Sequence, residues 1–444
     1  MLISFSVRNF RTFRDKVEWS LIASPDKTRE EDNVIDVPEF GLRLLKSAVV
    51  YGANASGKSK LIKALGYMQW FVMDSSKNTQ IGESTGVEPF MLNDISVYES
   101  SEFEIQFMCK NKLYRYGFEV SALHVEAEWL FMRSAKTVRN KPEVELFYRS
   151  GQEINFNSKQ FGGIVGELVK NNAVRDNALL LSVAAQFNQV QAKVILDWFF
   201  GITILSGDDE DWEKALTLLL IRNPDQKPRI LDFLSSADLD IEDVRQGKQK
   251  HPDDGKPDET GERFRRWAKR EQSDVKVQRR LYSDNRESVG FIDFNLNWHE
   301  SAGTRKMLDL AGPVLSSLRL GWVLVIDELD ARLHPNLVSK IVQLFNSKET
   351  NPNNAQLLFN THDTNLLTSG NFRRDQIWFT EKNRYGEATL YSLADFKTDV
   401  VKKNDDFEAN YVRGKYGAVP YLGDFNALPK ANSEAEPKPQ ASHE

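Results

Sequence analysis

Cysteine is nearly missing from this sequence: Cys109 is the only one in 444 residues. That excludes an internal disulfide and a clustered cysteine zinc site, and it suits a reducing compartment. Long apolar runs are missing too. The longest, Ala178 to Ala185 and Trp322 to Ile326, fall far short of the roughly 18 residues a membrane helix needs. Met1 to Arg8 alternates apolar with polar residues instead of forming a block, so no secretory leader is expected. Positive charge is not in excess, with 58 Lys and Arg against 64 Asp and Glu, a net charge of −6. A wholesale nucleic-acid coat is thereby excluded, although a local basic groove is compatible with that total. Sustained heptads and internal repeats are absent, which excludes a long coiled-coil arm. What is plentiful is core material: 41% hydrophobic residues, including 27 Phe and 9 Trp. A soluble cytoplasmic protein is the expectation.

The chain is organised around Gly52-Ala53-Asn54-Ala55-Ser56-Gly57-Lys58-Ser59, which has the form G-x-x-x-x-G-K-[ST]. In such a P-loop the backbone N–H groups cradle phosphate oxygens, the lysine reaches the β- and γ-phosphates, and the hydroxyl ligates Mg²⁺. The predicted cofactors are therefore ATP and Mg²⁺, with Gly52, Asn54, Ala55, Ser56, Gly57, Lys58, Ser59 and Lys60 around the phosphates. The flanks agree. Ala48 to Tyr51 reads as a short buried strand, and Lys60 to Leu65 opens a helix whose N-terminal dipole favours an anion.

Residues 2–8 and 17–22 read as a hairpin at a sheet edge. Phe10, Arg11 and Phe13 lie where a base or ribose could rest, but core packing is the commoner use of such phenylalanines. Residues 24–41 read as a loop, 74–89 as an exposed loop, and 102–120 as two antiparallel strands turning at Lys110-Asn111-Lys112. Further strands are expected at 124–132 and 144–149. From 161 to 200 the pattern is helical, and 209–236 predicts two short helices. Gln186, after a buried apolar run, is a candidate for a loop sensing the γ-phosphate and Mg²⁺, with a surface or capping amide as the plainer alternative. Residues 251–262 have a loop's composition. Residues 263–280 hold eight basic side chains with Phe264 and Trp267 interleaved, fit for a nucleic-acid backbone or acidic partner, or for a solvated face. Strand-like patterns resume at 370–396, and residues 427–444 have a disordered composition.

Trp322-Val323-Leu324-Val325-Ile326-Asp327-Glu328 reads as a buried parallel strand ending in two carboxylates. Beside a P-loop this is the Walker B pattern: Asp327 in the Mg²⁺ shell and Glu328 as general base polarising water. Glu300-Ser301-Ala302-Gly303-Thr304 precedes a helix expected from Arg305 and offers a second anion site. A strand ends near His362, a candidate γ-phosphate switch.

In that order, the P-loop, the Ser-centred signature, the Asp327-Glu328 pair, the Leu329-Asp330 step and His362 resemble the ABC-class ATPase heads of SMC, RecF and overcoming-lysogenization-defect proteins. The phrases Gly-Ala-Asn-Ala-Ser-Gly-Lys-Ser, Glu-Ser-Ala-Gly-Thr-Arg-Lys, Asp-Glu-Leu-Asp-Ala-Arg-Leu-His-Pro and Tyr411 to Pro420 are similar to the RloA/AbiL-like bacterial AAA ATPases. The resemblance spans about residues 1 to 425. It implies an α/β P-loop head with a mixed central sheet, an antiparallel β subdomain and a helical lobe. The corresponding divisions are 1–160, 161–290, 291–426 and a tail at 427–444. It also implies Gln186 as the Q-loop beside the metal, Ser301 and Gly303 as the signature, Asp330 as the D-loop, and His362 as the switch. Two heads would sandwich two ATP molecules, as a homodimer or higher oligomer. A separate effector, a nuclease or toxin, would be controlled as in the PARIS and Septu anti-phage systems, with DNA or a phage protein as trigger. The signature lacks the double glycine and Gln of transporters, which argues against a membrane partner, and the segment after 370 lacks the acidic clusters of a built-in TOPRIM nuclease. A RecF-like DNA-repair clamp is the alternative.

Overall fold

The computed structural model describes residues 1–135, 143–206, 210–246, 275–368, 370–397, 401 and 405–420. Two large sheets carry the architecture. The first contains β1 (Leu2–Arg8) and β2 (Val17–Ser20), the expected hairpin, with β2 at the edge. Between the two sheets in sequence come β3 (Val34–Val37) and β4 (Leu42–Leu45), which pair antiparallel inside and just after the stretch expected as a loop. The correction has a plain cause: Ile35 and Val37 alternate with polar Asp36 and bury against Phe40, Leu44 and Ile3.

β5 (Ser47–Tyr51) runs into the P-loop, and the helix Lys58–Asp74 follows. The first sheet then resumes with β6 (Ser101–Cys109), β7 (Lys112–Val120), β8 (Val125–Ser134), β9 (Val144–Ser150) and β10 (Glu153–Phe156), in the order β10-β9-β8-β7-β6-β1-β2. Its β6–β7 turn is two residues long, and both Lys110 and Asn111 have positive φ, which suits the right-handed twist of the flanking strands.

The second sheet adds β11 (Ile202–Leu205), and a small three-stranded sheet forms from β12 (Asp243–Gln246), β13 (Val275–Tyr282) and β14 (Ser288–Asn295). With β15 (Val323–Ile326), β16 (Gln356–Asn360), β17 (Ile377–Lys382) and β18 (Ala388–Ser392) the second sheet reads β11-β15-β16-β5-β17-β18, parallel except for β18. The expected mixed α/β architecture is what forms.

Continuous apolar runs on β5 and β15 are explained by burial on both faces. Ala48, Val50, Val323 and Val325 enter the core shared with the seven-stranded sheet and the P-loop helix. Val49, Tyr51, Leu324 and Ile326 enter the core shared with the helices Ala302–Leu320 and Pro335–Asn346. The helix Ala302–Leu320 contains Pro313, which has no N–H to give the Asp309 carbonyl. Thr217 Oγ1 donates to that carbonyl instead, at 3.1 Å.

A buried pair ties the first sheet to the helices behind it. Glu128 and Arg149 are both fully inaccessible, with Nη1 and Oε2 3.8 Å apart. Glu128 accepts from the N–H groups of Leu180 and Leu181 and from the Tyr116 hydroxyl, while Arg149 donates to the carbonyls of Ala178, Arg175 and Gly151. Burial pushes the Glu128 carboxyl upward, opposed by Arg149 and those N–H groups. Removing one member strands the other charge, so Glu128→Ala is expected to lower unfolding free energy by about 3–5 kcal/mol. Equilibrium urea denaturation checks this: the midpoint should fall with the slope unchanged.

The segment expected as basic is described only from 275, as β13. Arg279 pairs with Glu300 at 2.8 Å and Arg280 with Glu242 at 2.7 Å, so these two form ion pairs, not a free cationic face. Arg263, Arg265, Arg266, Lys269 and Arg270, the loop 251–262 and the tail 427–444 lie outside the described residues.

Candidate nucleotide-binding site

The P-loop sits at the C-terminal end of β5, with β16 on one side and β17 on the other, and β15 lies beyond β16. Gly52 and Gly57 have φ of 155° and 125°. A Cβ on Gly52 would fall 2.5 Å from both Ser56 Oγ and the Thr380 carbonyl, so only glycine fits there. Ser56 Oγ lies 2.7 Å from Thr380 Oγ1, which anchors the loop to β17. Phe10 and Phe13 are buried, and Phe13 Cζ would lie 3.3 Å from a Cβ on Gly57. Both are therefore core residues: Phe13 supports the loop from behind, and Phe10 packs on Tyr67 and Phe103. Asn54 and Ala55 are exposed at its tip, and Ala55 is left-handed at φ 60°. Lys60 is half-buried on the first turn of the helix.

Lys58 is buried and folds back over the loop, donating to the carbonyls of Gly52 at 2.8 Å and Ala53 at 3.1 Å. Burial lowers its pKa, while Glu328, Asp327 and Asp330 act in the opposite direction. An anion on the loop would reinforce the charged form.

Ser59 Oγ donates to Asp327 Oδ1 at 2.8 Å, joining residues 268 apart in sequence. A hydroxyl and a carboxylate meeting beside an anion cradle fit Mg²⁺, which takes one or two protein oxygens and completes its shell with water and phosphate. Such a site needs no cage of carboxylates, and among the described residues no cluster of three or more His, Cys, Asp or Glu able to hold a metal occurs.

Asp327 follows β15, and its N–H bonds the Leu205 carbonyl. The next residue, Glu328, is left-handed at φ 55° with its side chain exposed. Asn360 was absent from the sequence-based site, yet it lies between these elements. Fully buried at the end of β16, it donates from Nδ2 to Asp327 Oδ1 at 2.5 Å and accepts the Glu328 N–H on Oδ1 at 2.7 Å. The sequence carried one signal for it: a polar residue closing an otherwise apolar strand.

Asp330 accepts the backbone N–H of His362 at 3.3 Å, which brings the expected D-loop and switch together, and the His362 side chain is exposed. Ser301 caps the helix Ala302–Leu320, accepting from the Thr304 N–H at 3.1 Å. That helix starts three residues earlier than expected, because Ser301 itself supplies the cap. A Cβ on Gly303 would fall 3.0 Å from the Arg332 carbonyl. The side-chain hydrogen bonds of Ser301 run to Thr304 and its carbonyl accepts the Arg305 N–H, none of them reaching residues 52–60. Gln186 ends the helix Leu180–Gln186, exposed, and makes no hydrogen bond to Ser59 or Asp327. The fold thus gathers Lys58, Ser59, Asp327, Glu328, Asp330 and the His362 backbone, and leaves Ser301, Gly303 and Gln186 apart from the P-loop contacts.

The model of a family described as "AAA domain, putative AbiEii toxin, Type IV TA system" matches residues 47–368. No curated protein matches the chain by sequence. Similar solved structures include the SMC head domain from Thermotoga maritima, at 12% identity and TM-score 0.39, covering 88% of this chain and 98% of that one. Another is an SMC head bound to the C-terminal winged-helix domain of ScpA, at 13% identity and TM-score 0.39, covering 88% and 97%. Among the described residues no helix is long and apolar enough to cross a membrane.

Proposed function

The chain belongs to this AAA-domain family, and from that premise we propose that it is an ATP-hydrolysing switch of the ABC/SMC type. In this reading two chains close around ATP and control a separate effector in bacterial anti-phage defence, in the cytoplasm. The observation that carries the ATPase reading is the 2.8 Å contact between Ser59 and Asp327, with Glu328 next in sequence and Lys58 one residue before Ser59. Bound Mg²⁺ would neutralise charge developing on the phosphates. Lys58 would exchange its two loop carbonyls for β- and γ-phosphate oxygens. Glu328, exposed beside the cradle, would take a proton from the attacking water. The defence role rests on the family's description and on the motif resemblance. Its rival is a DNA-repair clamp, for which Arg279 and Arg280, each in an ion pair, would have to exchange a carboxylate for a phosphate.

Ser301 and Gly303 would complete the site of the facing chain, since a helix N-terminus capped by a serine hydroxyl suits a γ-phosphate. His362 would touch the same phosphate, and Gln186 would approach the metal on closure. The test is complementation. Lys58→Ala chains keep Ser301, and Ser301→Arg chains keep the P-loop, so each mixed dimer holds one sound composite site. Neither variant alone should turn over ATP, and a 1:1 mixture should recover up to about a quarter of wild-type activity per chain, because half of the dimers are mixed and each has one working site of two. Recovery in the mixture, expected unless the two sites fire only together, establishes the composite site, and a Glu328→Gln protein that stays monomeric with saturating ATP and Mg²⁺ would refute it.

A further inference from the structure

Asn360 holds a position that the catalytic assignment above does not use. It is fully buried at the end of β16, the strand that separates the P-loop strand β5 from the Walker B strand β15. Its register partner on β5 is Val50, two residues before the loop begins at Gly52. Every polar group it presents toward β15 is engaged: Nδ2 on Asp327 Oδ1, Oδ1 on the Glu328 N–H, and the backbone carbonyl on the Leu329 N–H at 3.2 Å. Three consecutive residues of the Walker B turn are therefore held by one side chain and its own backbone.

We propose that Asn360 is a positioning residue that sets both the metal carboxylate and the catalytic base. The proposal rests on the ATPase reading above and deepens it. Two physical points carry it. First, Asp327 Oδ1 accepts from both Ser59 Oγ and Asn360 Nδ2, which restrains the carboxylate beside the hydroxyl that would share the metal with it. Second, Glu328 adopts a left-handed backbone, a conformation that a side chain other than glycine keeps only when its surroundings hold it there. The Asn360 Oδ1 bond to the Glu328 N–H supplies that hold and so aims the general base. An apolar residue of similar size would fill the space and provide neither bond.

The experiment compares Asn360→Leu, which keeps volume without hydrogen bonds, with Asn360→Thr, whose hydroxyl can donate to Asp327 and accept from Glu328. Thermal melts first establish that both variants are folded. Binding of a fluorescent ATP analogue is then measured in EDTA and in Mg²⁺, alongside steady-state ATPase kinetics. The expected result for Asn360→Leu is unchanged affinity in EDTA, a Mg²⁺-dependent tightening weakened by about 10–100-fold, and kcat reduced by a similar factor, with KM for Mg-ATP rising as the tightening is lost. Asn360→Thr should recover most of that loss. A folded Asn360→Leu protein with wild-type kcat and Mg²⁺ dependence overturns the proposal. So does equal loss of binding in EDTA for both variants, which would make Asn360 a support of the fold alone. If the unaltered protein binds Mg²⁺ and the analogue but does not hydrolyse ATP, the ATPase reading falls, and the Mg²⁺ measurement still decides the role of Asn360.

Discussion

Replacing Glu328 with Gln should leave ATP bound and uncut, with turnover reduced by about 10²–10⁴-fold. The amide keeps the length and hydrogen-bonding shape of the carboxylate and cannot accept the proton of the attacking water. The backbone bond from Glu328 N to Asn360 is untouched by the change, so the left-handed turn and the placement of Asp327 persist. The nucleotide, no longer consumed, would hold two heads together for as long as it stays bound, and dimer stability becomes linked to ATP occupancy by mass action. Light scattering on the Glu328→Gln protein should therefore report a dimer with ATP and Mg²⁺ and a monomer without them. A protein that remains monomeric at saturating ATP would remove the closed-head reading and the assignment of Ser301 with it.

Lys58→Ala acts one step earlier. The ammonium is held over the loop by the Gly52 and Ala53 carbonyls and faces Glu328, Asp327 and Asp330. Without it the phosphates meet three carboxylates and no compensating side-chain charge from the loop. Loss of charge-assisted bonds worth about 3 kcal/mol corresponds to a roughly 100-fold weaker ATP affinity. Turnover should fall below detection, because the same charge is needed more as negative charge moves toward the leaving oxygen. Isothermal calorimetry reads the first effect and phosphate release the second. Fold stability should change little, since Lys58 bonds only carbonyls of its own loop. Wild-type affinity in the folded variant would dismiss the P-loop assignment.

The parts legible in the sequence are those governed by near neighbours. Gly52 to Ser59 is contiguous, with the pattern of a phosphate cradle, and its two glycines adopt positive φ that the tight loop requires. The two-residue turn at Lys110 and Asn111, the pair of helices within 209–236, and the buried run ending at Asp327 and Glu328 follow from periodicity and turn chemistry over a few residues. β3 is hidden in the sequence because Pro25, Pro38 and several charges surround a strand of only four residues, where tertiary burial outweighs local composition.

Asn360 shows the other kind of information. Nothing near it in the chain distinguishes it from any amide at a strand end. Its role arises because β16 is inserted between β5 and β15, which places residue 360 beside residue 327. The same holds for Glu128 and Arg149, whose opposite charges become a clamp only when β8 and β9 lie beneath the helix that starts at Leu180. Spacing along the chain settles which groups can cradle a phosphate, because those groups are joined by covalent geometry within one loop. Which carboxylate meets the Ser59 hydroxyl, and which buried amide aims the base, depends on strand order in a parallel sheet. That order is decided when both faces of the sheet are covered and residues hundreds apart are brought within hydrogen-bonding distance.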